Sequence, residues 1–319
     1  MEYLSEEKKE AQKILFTGLD DAGKTSIILA LQREFSKIAM IKPTKGAQRK
    51  IFRFLDKEIS EWDLGGQASY RISYLKNPSK FFAGTEIAIY VIDIQNQPRI
   101  NESLSYLADV TTEFKKLDIH PPINIFFHKF DPTLIKEAHT KLTNLSYDLV
   151  GKIKDSISYN NIYFYYTSIY NIPSIMKAMS EILLKLYTKP ELTSKTIQEF
   201  ALKLGCEGLL VIDNNSLIVG SYSIDNTIQE LLYASAPYFL SLHDTFQQKG
   251  FDENEDEKQM IIQKYGKYFL FKQIIIQGAD VPYYLLIVKN ESLPDLYKLN
   301  ETYNEFINII KEIVAVQQT

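Results

Sequence analysis

Short apolar runs alternate with helical patterns over residues 11–185. Lys13-Ile14-Leu15-Phe16-Thr17 is one such run; it closes in a Gly-rich turn, and Ser26 to Phe35 then reads as helix. Ile51 to Trp62 reads as two extended segments around a turn at Asp56-Lys57. Glu86 to Asp93, Ile123 to Phe127 and Asn161 to Tyr166 are β-branched and aromatic runs bounded by polar turns, as buried parallel strands are. Leu104 to Leu117 and Ile135 to Ile157 fit amphipathic helices between them. This alternation predicts an α/β fold with a doubly wound, mostly parallel sheet.

The pattern changes near Lys189-Pro190-Glu191. A helix over about Ser194 to Leu204 precedes a hairpin, Gly208 to Ile212 and Leu217 to Tyr222, around Asp213-Asn214-Asn215-Ser216. A long helix, Ile228 to Gln247, follows. The acidic run Asp252 to Glu257 reads as a solvated loop, since like charges this dense repel and stay wet. Three strands come next, breaking at Tyr265-Gly266-Lys267 and at Gly278-Ala279-Asp280, and Leu293 to Val316 closes the chain as an amphipathic helix. The expected division is therefore residues 1–190 and 191–319, the second half an α+β domain.

Composition narrows the classes. A length of 319 residues suits two domains, and 36 Lys plus Arg against 40 Asp plus Glu gives a formal charge of −4. That balance argues against a nucleic-acid binder or a polybasic membrane-surface protein. No apolar run approaches the ~18–20 residues of a bilayer span. The start of the chain reads as no signal peptide, Glu2 as no myristoylation site, and the last residues as no prenylation site. Cys206 stands alone, which leaves no disulfide framework, and His120, His139 and His243 have no metal spacing.

Chemistry concentrates in four ordered segments. Gly18-Leu19-Asp20-Asp21-Ala22-Gly23-Lys24-Thr25 fits G-x-x-x-x-G-K-[ST] between a strand and a helix. Successive N–H groups in such a turn wrap a β-phosphate, and the helix N-terminus adds its dipole. Gly18, Asp20, Asp21, Ala22, Gly23, Lys24, Thr25 and Ser26 are the candidate phosphate-binding residues, with Lys24 reaching the β- and γ-oxygens and the Thr25 hydroxyl placed for Mg²⁺. In Trp62-Asp63-Leu64-Gly65-Gly66-Gln67, Asp63 ends a strand where it can hold Mg²⁺ through water. The Gly66 N–H can meet the γ-phosphate, and Gln67 can orient an attacking water. Thr44, between the two motifs, is the candidate switch threonine that closes on Mg²⁺ and the γ-phosphate.

Base recognition is expected after the next two strands, at His128-Lys129-Phe130-Asp131 and Thr167-Ser168-Ile169. The Asp131 carboxylate can accept two bonds from the ring N–H and exocyclic amine of guanine, a pair that adenine lacks. The Lys129 stem can lie over the base, and an N–H near Ser168 can meet the base carbonyl. The expected ligands are GTP and GDP with Mg²⁺.

These residues resemble the Ras-superfamily small GTPases. The first two segments look Arf-like, whereas Phe82 to Asp93, His128-Lys129-Phe130-Asp131 and Thr167-Ser168-Ile169-Tyr170 resemble the Rag/Gtr family, particularly its Rag C/D branch, which uses His before Lys-x-Asp. That family carries a C-terminal roadblock domain, and the order of elements after residue 192 is the roadblock order. The resemblance implies a guanine-nucleotide switch that pairs with itself or a second Rag-like subunit through roadblock domains; no arginine in the motifs supplies transition-state charge, so slow hydrolysis of GTP is expected. It implies activating and exchange partners, and in eukaryotes recruitment of the target-of-rapamycin kinase complex. It also implies a cytoplasmic protein that reaches membranes through partners. Asp20 departs from the Ras pattern, which has glycine there so that a partner's arginine can pass; an activating partner is expected to approach differently.

Two rivals remain. One is a nucleotide-bound docking scaffold that does not hydrolyse, against which Thr44 and Gln67 argue. The other is an Arf-like trafficking GTPase, against which the first ten residues argue, because their mixed charges leave no apolar face for a membrane helix. The helix Ile228 to Gln247 carries Leu231, Leu232, Tyr233, Tyr238, Phe239 and Leu242, more apolar surface than one sheet face needs, and is expected to form a dimer interface with the adjoining edge strand.

Overall fold

The computed structural model describes residues 11–55, 57–187, 190–250, 259–274, 281–290 and 306. Contacts divide the chain into two compact units, Met1–Ile27 with Met40–Tyr170, and Ile28–Ala39 with Asn171–Thr319.

The first unit is built on six strands: β1 (Gln12–Gly18), β2 (Ala47–Phe54), β3 (Lys57–Leu64), β4 (Thr85–Asp93), β5 (Ile123–His128) and β6 (Ile162–Thr167). Their order is β2-β3-β1-β4-β5-β6, parallel throughout except for the β2–β3 hairpin. β4 and β5 are buried almost end to end, which is why their sequences are apolar runs rather than alternations. The register pairs Phe16 with Asp63, Asp93 with His128 and His128 with Thr167. That lines up the chemistry along the carboxyl ends of adjacent strands, where open α/β sheets bind ligands.

Helix α1 (Lys24–Leu31) starts in the first unit and α2 (Phe35–Ile38) lies in the second. Five helices follow, α3 (Ala68–Lys76), α4 (Pro78–Phe81), α5 (Ile100–Lys116), α6 (Pro132–Ser156) and α7 (Ile172–Leu184). A 3-10 turn, Gln97–Arg99, leads into α5. Ile100, Tyr106, Leu107, Val110 and Phe114 give α5 one buried stripe at helical spacing, and Phe114 meets Phe82 edge-on.

The single helix expected over Ser26 to Phe35 is interrupted. It leaves α-geometry after Leu31, and Arg33 takes a left-handed φ of 56°. The Arg33 guanidinium donates to the Asn214 carbonyl at 2.6 Å and to the Ser216 hydroxyl at 3.1 Å, and it pairs with Asp244. These tertiary bonds outweigh local helix propensity. Helices α3, α4 and α7 appear in addition to the elements read from the sequence. In α7, Ile175, Met176, Met179, Ile182 and Leu183 are buried.

Besides α2 and α7, the second unit holds α8 (Pro190–Leu204), β7 (Gly208–Asp213), β8 (Ile218–Ser223), α9 (Asn226–Gln248), β9 (Gln259–Lys264), β10 (Lys267–Ile274) and β11 (Tyr283–Lys289). Its sheet is wholly antiparallel in the order β8-β7-β11-β10-β9. Gly208 on β7 opens onto Ile228 and Leu232 of α9, and Gly220 on β8 opens onto Ile197 of α8. Val211 pairs with Gly220, so the two glycines face opposite sides and the helices cover both faces.

Helix α9 starts at Asp225, whose carboxylate caps the Ile228 N–H at 2.8 Å. It buries Leu232, Tyr233 and Phe239, while Tyr238 and Leu242 stay 78% and 42% exposed. On the edge strand β9, Ile261 and Ile262 are 50% and 43% exposed. The acidic run at 252–257 lies outside the described residues. Of the segment 293–316, only Phe306 is described; it is helical and stacks on Phe200 at 4.1 Å.

Candidate nucleotide site

The turn after β1 leads directly into α1, and a cavity of about 210 Å³ opens over it, walled by that turn, by Ile41 to Thr44 and by Gly66-Gln67. Asp21 takes a φ of 60° and Gly23 one of 96°, so the turn curls its backbone inward. Gly23 is needed for a second reason: a Cβ there would meet the His128 ring at 2.4 Å.

Lys24 is buried and donates to the carbonyls of Leu19 at 2.7 Å and Gly18 at 3.1 Å. Burial pulls its ammonium down to about 8, opposed by the nearby carboxylates of Asp63 and Asp20. The Thr25 hydroxyl donates to Asp63 Oδ2 at 2.6 Å, and the Thr44 hydroxyl lies 2.8 Å from that of Thr25. Three segments remote in sequence thus deliver three oxygens to one point.

The donor set fits a hard cation. Asp63 Oδ1 is buried without a hydrogen-bond partner, and burial raises the carboxyl's affinity for its proton. An uncompensated buried carboxylate oxygen beside two hydroxyls is what Mg²⁺ takes, since it prefers a few protein oxygens and leaves the rest of its shell to phosphate and water. The candidate ligands are therefore Thr25, Thr44 and Asp63.

Gly66 lies hard against the phosphate turn; a Cβ there would sit 2.1 Å from the Asp20 nitrogen and the Leu19 carbonyl carbon. Gly65 N–H donates to the Gly46 carbonyl at 2.9 Å, tying this segment to the one carrying Thr44. Gln67 lines the cavity and precedes α3 in extended geometry. Ser26 also lines the cavity, and Ala22 is buried beneath the turn.

The base-side residues gather on the same sheet edge. Asp131 accepts from the Ser168 hydroxyl at 2.5 Å, and Phe130 N–H donates to the Thr167 carbonyl at 3.1 Å. His128 is buried, with Nδ1 2.9 Å from the Thr167 hydroxyl. Burial, with a smaller push from Lys129, drops its imidazolium to about 4. Lys129 takes a left-handed φ of 61° and pairs with Asp93 at 2.9 Å and more loosely with Asp21. Ile169 follows in the turn after β6. The phosphate-side and base-side candidates therefore converge on the carboxyl edge of the first sheet.

Sequence reasoning missed four residues. Gln95 donates from its amide to Asp131 Oδ2 at 2.8 Å and to the Lys129 carbonyl at 2.7 Å. Arg99 donates to Asp20 Oδ1 at 2.8 Å and to Glu102 at 2.9 Å. Arg71 donates to the Gly66 carbonyl at 2.9 Å and pairs with the other oxygen of Glu102. The spacing of Arg99 and Glu102 at i,i+3 on a helix start was a visible signal; the partners across the fold were not.

Residues 13–234 match the model of the Gtr1/RagA G protein conserved region, more than half of the chain. The chain belongs to the Gtr1/RagA G-protein family. It is also 38% identical over 125 residues to ADP-ribosylation factor-like protein 3 of Chlamydomonas reinhardtii, covering 39% of this chain and 66% of that one. To the protein of the same name in Caenorhabditis elegans it is 31% identical over 139 residues, covering 43% of this chain and 71% of that one. Among solved structures, the Arl6 BBS3 small GTPase of Trypanosoma brucei with bound GppNp aligns at 17% identity and a TM-score of 0.44, over 55% of this chain and 97% of that one. The chain thus spans about two thirds of the length of the first curated relative. The Gtr1/RagA and Arf-like families are Ras-superfamily enzymes that bind GTP and GDP with Mg²⁺ and hydrolyse GTP. The first unit of this chain has their P-loop fold.

Proposed function

We propose that this chain is a slow GTP-hydrolysing switch that works as a Rag-like dimer in signalling. The observation that carries the reading is the meeting of the Thr25 and Thr44 hydroxyls at Asp63 Oδ2, while Asp63 Oδ1 stays buried without a partner. Mg²⁺, when bound, neutralises charge developing on the β- and γ-phosphates. Lys24 and the backbone N–H groups of the phosphate turn hold the phosphates, and the Gly66 N–H marks the presence of the γ-phosphate. Gln67 orients the attacking water, while Asp131 selects guanine over adenine. Arg71 and Arg99 are both engaged by carboxylates, so transition-state charge has to come from a partner protein and the unassisted rate is low.

The second unit supports the pairing half of the reading. The described order of helix, two strands, helix and three strands agrees with the order expected of a roadblock domain, and Tyr238 and Leu242 on α9 leave apolar surface for a partner helix. A cytoplasmic protein that reaches membranes through its partners accords with this. Nucleotide extraction from the purified chain, coupled to light scattering, tests both halves together: stoichiometric guanine nucleotide and a dimer mass are expected, and an empty monomer would refute them. Gln67→Leu is expected to abolish residual turnover while GTP affinity changes less than about twofold; normal turnover would remove Gln67 from the mechanism.

An Arf-like trafficking GTPase is the second reading, favoured by the 38% identity to an Arf-like protein. A strictly monomeric GTPase, alone and with any Rag-like partner, is its signature in the same scattering measurement. A non-hydrolysing scaffold would show bound GTP with no turnover in the unsubstituted chain.

A further inference from the structure

Asp20, Arg99, Glu102, Arg71 and Gly66 form a closed ring of contacts. Asp20 Oδ1 accepts from Arg99 at 2.8 Å, and Arg99 Nε donates to Glu102 Oε2 at 2.9 Å. Glu102 Oε1 pairs with Arg71, whose Nε donates to the Gly66 carbonyl at 2.9 Å. The ring closes where the Gly66 backbone presses on Leu19 and Asp20. Charge alternates along Asp20, Arg99, Glu102 and Arg71, so the ion pairs support one another.

Surface ion pairs taken singly are worth little, and Glu102 and Asp20 are well exposed. Arg71 differs. Its side chain is only 12% exposed, its guanidinium lies 5.1 Å above the Tyr106 ring, and its planar fork serves a carboxylate and a carbonyl at once. The carbonyl it holds belongs to the peptide joining Gly66 to Gln67, so fixing that oxygen fixes the plane from which the Gln67 backbone leaves. Gln67 then enters α3 with φ −60° and ψ 144°.

We propose that Arg71 is a positioning residue for GTP hydrolysis: anchored through Glu102 and Arg99 to Asp20, it holds the Gly66–Gln67 peptide against the phosphate turn so that Gln67 meets the attacking water. Asp20 is then more than an obstacle to an incoming arginine; it is the fixed post of the ring. The inference rests on the role given to Gln67 in the proposed function, and it adds residues that lie outside every motif.

The test uses the full chain loaded with Mg²⁺ and GTP, measuring the single-turnover hydrolysis rate, GTP affinity and Trp62 emission. Arg71→Ala and Glu102→Gln are each expected to slow hydrolysis about tenfold while GTP affinity changes less than about twofold, because the ring acts on water placement rather than on phosphate binding. Arg71→Lys, which keeps the charge but not the fork, is expected to fall between them and the unsubstituted rate. In a Gln67→Leu background, Arg71→Ala is expected to have no further effect.

Rate losses under about threefold in both Arg71→Ala and Glu102→Gln overturn the inference, as does a rate loss matched by equal loss of GTP affinity. If Arg71→Ala fails to fold, Glu102→Gln, an isosteric change at an exposed side chain, decides alone. Should Gln67→Leu itself hydrolyse normally, the proposed function's account of Gln67 fails first. Should Gln67→Leu be dead while Arg71→Ala is unaffected, only the ring's role fails. The GTP-minus-GDP change in Trp62 emission is expected to shrink in Arg71→Ala, since Trp62 adjoins Asp63 on the strand leading to Gly66.

Discussion

Buried between the Thr167 hydroxyl and the backbone of Gly23, His128 stays neutral well below the pH at which a free imidazole would charge. Lys129 reinforces this and Asp93 opposes it, with burial the largest cause. The folded state therefore binds fewer protons than the unfolded one between about pH 6.5 and about 4, so stability is lost as pH falls through that window. At pH 5 the deficit from this residue is about 2 kcal/mol. His128→Asn has no such proton to refuse. Denaturant midpoints of the two proteins, both loaded with Mg²⁺ and GDP, are expected to draw together or cross as pH drops from 7 to 5; a pH-independent difference would show that His128 ionises outside this range.

At the same scale, the division between what could and could not be read from the chain is physical. Lys24, Thr25 and Asp63 were legible because phosphate and cation chemistry demands those side chains at fixed offsets from a strand end. Thr44 was placed only by lying between two motifs, and its 2.8 Å approach to Thr25 is a tertiary fact. Arg71, Arg99, Glu102 and Gln95 escaped notice because their contacts cross between segments whose separation no local spacing records. An arginine beside a glutamate on a helix reads as an ordinary surface pair until Asp20 is seen on its far side.

At the scale of elements, β4 and β5 announced themselves by unbroken apolar runs, and α5 by its periodic stripe. Helix α7 carries an equally periodic stripe, Ile175, Met176, Met179, Ile182 and Leu183, and was legible by the same signal. The end of α1 could not be read at all, because Arg33 is drawn off by Asn214 and Asp244 rather than by any local breaker. The segment between β3 and α3 carries its own prediction. Gly66→Ala places a methyl against backbone atoms of Leu19 and Asp20, which cannot rotate away as a side chain would. The segment is expected to lift from the phosphate turn, lowering single-turnover hydrolysis by at least about tenfold while GDP still binds. A variant with unaltered turnover would mean that close apposition is not required for catalysis.

For the whole molecule, the two sheets differ in how their edges are finished. On the first, β2 presents Arg49, Lys50 and Arg53 along an exposed strand, and charge of one sign there discourages another strand from adding. On the second, β9 carries Ile261 and Ile262 half exposed, and α9, packed on β7, β11 and β8, leaves Tyr238 uncovered. If α9 and this margin bury a partner, Tyr238→Asp is expected to weaken self- or hetero-association by at least about tenfold without lowering GTP affinity. Unchanged mass in light scattering would place the interface elsewhere. The margin of β9 also has a cost for a chain that finds no partner. Among the described residues nothing pairs with the outer edge of β9, and an edge strand with adjacent isoleucines invites edge-to-edge pairing. If the chain pairs as proposed, a copy made in excess of its partner is expected to be lost to inclusion bodies or cleared by proteases, and the pair would be kept in step without any dedicated control of its synthesis.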